Sequence, residues 1–126
     1  MINSLRRPGL TRADRGMVTA ELAVALPSLL MVLVLAVCLL GAAGAKLRCQ
    51  QAARDGARLA ARGEAIASVR AAARAEAPRG ASVTVLEAPG TVQVIVAAPV
   101  GVPGWWQPWS DLRVAGAATA PAEGAS

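Results

Sequence analysis

The sequence predicts an α+β single-pass membrane protein. A long N-terminal helix, transmembrane in one half and amphipathic in its extension, precedes a small antiparallel β-sheet domain. Three observations predict it. Leu22 to Ala45 contains no charged residue. Lys46 to Arg62 keeps a helix-forming composition of alanine, arginine, leucine and glutamine. Beyond Pro78-Arg79-Gly80 the pattern changes from helical to alternating.

The span comes first in the argument. Its 24 uncharged residues make a helix about 36 Å long at about 1.5 Å per residue. A bilayer core of about 30 Å needs about 20 apolar residues. Within lipid, a lone segment satisfies its own backbone groups only as a helix. Pro27 lies inside it. Proline removes one backbone bond and bends the axis, which membrane helices tolerate; a plain kink is preferred over a packing role. Gly41 and Ala45 form a small-xxx-small pair, as do Ala52, Gly56 and Ala60 beyond the membrane. That spacing lets helix backbones approach closely, although an alanine-rich chain also produces it by chance.

Lys46 to Arg62 continues the helix, with Arg54, Arg58 and Arg62 on every fourth residue. This basic stripe is either a solvated face, the preferred reading, or a contact with acidic groups of a partner or with lipid phosphates. Gly63 weakens or ends the helix. Glu64 to Ala77 reads as a second helix, with Ile66, Val69 and Ala73 on one face. Residues 81–86 and 91–97 alternate around the turn Glu87-Ala88-Pro89-Gly90, a β-hairpin with Val92, Val94 and Val96 on one side. Residues 99–104 form a loop, and 112–119 a third strand.

Composition narrows the function. Phe and Tyr are absent, and the three Trp are Trp105, Trp106 and Trp109, so a core outside the membrane must be thin and built from Val, Leu, Ile and Ala. The tryptophans plug that core, anchor at the membrane interface, or are buried against another subunit. The net charge is +5. Arg6, Arg7, Arg12 and Arg15 with Asp14 account for most of it, and no aromatic residues interleave with the basic ones as a stacking platform requires. Nucleic acid is therefore not expected as a partner. Histidine is absent, which removes the commonest general base and metal ligand. The carboxylates and two thiols form no nucleophile–base pair or ligand cluster, and no phosphate loop is present. The chain does not read as an enzyme, and no cofactor or metal is expected. Cys38 and Cys49 would lie about 16 Å apart along one helix, too far for a bridge requiring Cα atoms within about 7 Å. Both read as free thiols packing as small hydrophobes, ahead of a bridge between two chains at Cys49.

The N-terminal arm, residues 1–15, has no periodicity and is expected to be disordered. A secretory signal peptide would end at Ala43-Gly44-Ala45, but the apolar run exceeds the usual signal length of about 7–15 residues. A lipoprotein box at Leu35-Ala36-Val37-Cys38 fails on the size of Val37. Neither explains Glu21, an acid at the mouth of an uncharged span, where an ionised group is costly. Cutting after Gly16 would free the α-amine of Met17 one helical turn from Glu21, at the spacing where opposite charges meet. Glu21 could equally neutralise the amine of a neighbouring subunit.

Gly16-Met17-Val18-Thr19-Ala20-Glu21 resembles a prepilin processing site, a glycine followed by an apolar helix with glutamate at its fifth residue. Asp14-Arg15-Gly16, Thr19-Ala20-Glu21-Leu22-Ala23, Leu26-Pro27 and the stretch Gln51 to Arg58 are similar to TadE-like pseudopilins of tight-adherence (Flp-type) pilus systems. The resemblance covers residues 14–62. It implies a minor pilin or pseudopilin, cut by a prepilin peptidase and joining a type IV-like pilus. It also implies membrane lipid, that peptidase, other pilin subunits and the assembly platform as partners, with the C-terminal domain extracytoplasmic. Charge alone sets no orientation: four arginines precede the span and five basic residues closely follow it. The other readings are an uncut single-pass accessory protein whose small extracytoplasmic domain binds a partner, and a soluble chain released after Ala45. The expected organisation is a cleaved basic leader at 1–16 and a long helix at 17–62 with its span at 22–45. A second helix and linker at 63–80, a β domain at 81–120 and a disordered tail at 121–126 complete it.

Overall fold

The computed structural model describes residues 9, 12–102, 104, 105, 108 and 111–122. The elements are α1 (Arg12–Ala61), α2 (Ile66–Glu76), β1 (Ser82–Ala88), β2 (Thr91–Pro99) and β3 (Arg113–Pro121). A long helix followed by a three-stranded antiparallel sheet confirms the α+β class. The chain divides into two units, Met1–Ala36 and Val37–Ser126, and α1 contributes to both.

In the first unit, α1 begins at Arg12 and takes in the last four residues of the arm expected to be disordered. No proline or glycine interrupts residues 10–15, and Asp14 places a negative charge in the first turn, where the helix dipole favours it. The helix continues through Pro27.

In the second unit, α1 ends at a glycine stop. Gly63 adopts φ 77°. Its N–H donates to the Ala60 carbonyl at 3.0 Å, and the Glu64 N–H donates to Leu59 at 3.2 Å. This crossed pair satisfies carbonyls that a helix end otherwise leaves open. α2 is shorter than the sequence pattern suggests, because its N-cap is Ala65, which has no side-chain acceptor. The β1–β2 turn is also tighter than expected: Glu87 pairs with Val92 and Ala88 with Thr91, leaving only Pro89 and Gly90 between the strands. Gly90 supplies φ 76°, which proline followed by glycine suits.

The sheet order is β1-β2-β3. β2 turns Val92, Val94, Val96 and Ala98 inward. Against them lie Cys49, Ala52, Ala53, Ala57 and Ala60 of α1 and Val69 and Ala73 of α2. The largest fully buried side chains are Val69, Val94, Val96 and Cys49, so the core is thinner than predicted; Leu59 is only partly buried at its margin. With so little side-chain volume, burial depends on backbones coming close. A Cβ on Gly56 would stand 3.2 Å from Val94 Cγ1 and 3.4 Å from Ala73 Cβ. On Gly116 it would stand 2.5 Å from the Gln50 backbone nitrogen. The helix backbone therefore rests almost directly on β3.

Candidate functional site

The N-terminal constellation lies in the first unit. Gly16, Met17 and Glu21 all fall within α1 and are exposed. Met17 and Glu21 are one turn apart on one side of the helix. In the uncut chain the nitrogen of Met17 is an ordinary peptide amide. A Cβ built on Gly16 meets nothing within 4 Å, so packing does not require glycine there. The two hydroxyls in this segment bond back to the helix: Thr19 Oγ1 donates to the Arg15 carbonyl at 2.9 Å, and Ser28 Oγ to Val24 at 2.8 Å. They present little unsatisfied polarity to an apolar surrounding. The Val24 bond lies one residue from Pro27, which leaves the Ala23 carbonyl without its usual N–H donor.

The large apolar side chains in the N-terminal part of this helix are not used in the fold. Leu22, Val24, Leu26, Leu29, Leu30, Met31, Val32 and Leu33 are all more than half exposed. None of the most apolar window of the helix is buried within the chain. A core helix of a soluble domain would be covered, whereas this one requires a surrounding that is itself apolar. An apolar helix of this length suits a single-pass membrane protein. Gly41, in the second unit, is exposed, and nothing lies within 4 Å of a Cβ built on it, whereas Ala45 is half-buried.

Above the span, the helix gives its two sides different tasks. Gly56, flanked by Ala52, Ala53, Ala57 and Ala60, faces the sheet and α2 of its own chain. Arg54, Arg58 and Arg62 lie outside that packed face and are exposed. Arg58 Nη1 approaches Asp55 Oδ1 at 3.7 Å, with both side chains open to solvent, a pair worth little to stability. Arg54 and Arg58 also line a groove of about 240 Å³ with Ala57, Ala61 and Ala118 to Pro121.

Two contacts fasten α1 to β3, and neither is visible in the sequence pattern. Lys46 Nζ donates to the Ala115 carbonyl. Cys49 Sγ lies 4.0 Å from the Val114 carbonyl. Cys49 is fully buried and unbridged, and Cys38 is also free. Burial pushes the Cys49 thiol pKa up, with nearby Lys46 partly opposing the shift. A glycine inside a small-residue strand, Gly116, was the one available sign of a close backbone approach.

Trp105 is 70% exposed, so it does not plug the core. Trp106 and Trp109 lie outside the described residues. Among the described residues, no group of three or more His, Cys, Asp or Glu is arranged to hold a metal.

Residues 16–58 match the family model described as TadE-like protein. The match begins at Gly16, runs through the apolar span and ends at Arg58, leaving α2 and the sheet outside it. It bears out the TadE-like resemblance. That family is structural rather than catalytic and points to a role in tight-adherence pilus systems. No curated protein and no solved structure matches the chain.

Proposed function

We propose that this chain, TadE-like over residues 16–58, is the precursor of a minor pilin or pseudopilin of a tight-adherence pilus. A prepilin peptidase removes residues 1–16. The mature chain is held in the bilayer by α1 and then passes into, or helps start, a filament. The apolar helix serves twice, first against lipid and then against sister helices. Glu21 sets the register of that packing, because a buried carboxylate is penalised when unpaired and relieved by an amine of its own chain or of a neighbour.

One observation carries the reading: the family match opens at Gly16, a glycine for which the surrounding fold supplies no packing reason. In a helix interior, glycine costs about 1 kcal/mol relative to alanine. Recognition by a peptidase supplies a reason for that cost. The orientation that follows puts the leader in the cytoplasm and the sheet outside.

The deciding measurement is the mass of the membrane-extracted protein from cells with and without the prepilin peptidase. A mature chain starting at Met17 only when the enzyme is present supports the proposal. A chain that begins at Met1 in both cells, and is indifferent to Gly16→Val, makes the protein an uncut anchored accessory. A reporter fused after Ser126 tests orientation, and cytoplasmic activity there would exclude the filament reading.

A further inference from the structure

β3 is an edge strand. Two bonds at the ends of the β2–β3 ladder fix which of its backbone groups are occupied. The Val100 N–H donates to Leu112 at 2.8 Å, and the Ala122 N–H donates to Gly90 at 3.0 Å. In an antiparallel ladder the bonded residues alternate, so the even-numbered residues of β3 face β2. Arg113, Ala115, Ala117, Thr119 and Pro121 therefore turn their backbone groups to the open edge. Lys46 occupies the Ala115 carbonyl. Among the described residues, none bonds to the open-edge backbone groups of Ala117 or Thr119.

Natural edges are normally guarded by charge, proline or a bulge. Here Arg113 and Pro121 stand only at the two ends, and every residue between them is Val, Ala, Gly or Thr. The opposite edge strand, β1, differs in carrying Glu87, and it contacts α2. The unguarded part of β3 also borders the groove that holds Arg54 and Arg58. Those arginines are four residues apart on a helix, about 6 Å along its axis. Alternate residues of an extended strand are about 6.7 Å apart. Two carboxylates in an acid-x-acid pattern on an added strand therefore match the arginine spacing.

We propose that the free edge of β3 at Ala117 and Thr119, with Arg54 and Arg58 beside it, is a strand-addition site for an extended acidic segment of a partner protein. Backbone pairing supplies affinity, and the arginines select acidic side chains. A second copy of this chain fits less well, because pairing β3 with β3 would bring two sets of Arg54 and Arg58 together. Lipid phosphates fit less well too: Arg54 and Arg58 stand about 13 and 20 Å along the helix beyond Ala45. The proposal does not require cleavage after Gly16, so its failure and that of the pilin reading are separable.

The test uses the full chain in phosphatidylcholine nanodiscs and fluorescein-labelled Thr-Glu-Thr-Glu-Val-Glu-Thr, read by anisotropy. A second peptide carries lysine at each glutamate. The acidic peptide should bind and the basic one should not. The double variant Arg54→Ala with Arg58→Ala should weaken binding by about tenfold, the sum of two exposed ion pairs of ordinary strength. Ala117→Pro, which removes an N–H on the open edge, should also weaken it while β1–β2 amides keep their exchange protection. Equal binding of both peptides, or unchanged affinity in the double arginine variant, overturns the proposal. So does self-association of the chain that Ala117→Pro abolishes, or loss of peptide binding when phosphatidylglycerol is added, since another copy or the membrane would then be the occupant.

Discussion

Adding one methyl group at Gly116 should lift α1 off β3. The Cβ of Gly116→Ala would meet Gln50 N at 2.5 Å and both the Cys49 carbonyl carbon and Gln50 Cα at 2.6 Å. Ordinary contact begins at 3.4 Å, so helix and strand must separate by nearly an ångström. All three obstacles are main-chain atoms, and no side chain can rotate away to make room. Overpacking usually costs about 1–3 kcal/mol, and a backbone obstacle belongs at about 3 kcal/mol. A gap of that size also forfeits a quarter to a half of the dispersion energy between facing atoms. In a small domain with total stability of order 5 kcal/mol, most of the margin is lost. Cys49 reports the change, because it is fully buried beneath this contact. In a Cys38→Ala background, maleimide labelling of Cys49 follows the open population. Labelling should accelerate by about a hundredfold, the equivalent of about 3 kcal/mol. Gly101→Ala, with nothing within 4 Å of its Cβ, should label at the parent rate. If Gly116→Ala also labels at the parent rate, the close approach does not hold the domain together.

Three further outcomes are expected. Glu21→Ala should leave cutting after Gly16 intact but reduce filament assembly in cells; normal piliation would remove the pairing role. The raised thiol pKa of Cys49 makes the folded state hold its proton more tightly than the unfolded state. Its stabilising contribution is therefore complete below the unfolded thiol pKa and is lost as pH rises through the folded value. Denaturation midpoints should fall as pH rises from neutral through and above the ordinary thiol range, and Cys49→Ala should flatten that slope; an equal slope in both proteins would assign the pH dependence to other groups. Tryptophan emission should shift to the blue when lipid is added if the Trp105 region anchors at the interface, and an unchanged spectrum would favour a subunit contact.

Local rules accounted for much of the chain. Twenty-four uncharged residues in succession demand a helix in lipid without reference to any other segment. The valine alternation on β2 set its buried face, and Gly63 marked the helix end. Gly16, Met17 and Glu21 stood out in the sequence by their spacing, and the family match begins at the first of them. The arginine stripe was legible as a stripe, but only the fold placed Arg54 and Arg58 beside the end of β3. The tryptophan cluster was misleading as a source of core at Trp105, which remains exposed, because small residues close this core through backbone proximity instead.

The amino-acid order by itself determined the long apolar helix, the segment at which the TadE-like match opens, and the hairpin, since each depends on neighbours a few positions away. Only the tertiary structure decided that the alanine and glycine face above the span is used within its own chain, and that Lys46, Cys49 and Gly116 meet. Those contacts join residues more than sixty positions apart. No periodicity encodes such a meeting, because it depends on how closely one backbone can approach another once both elements exist.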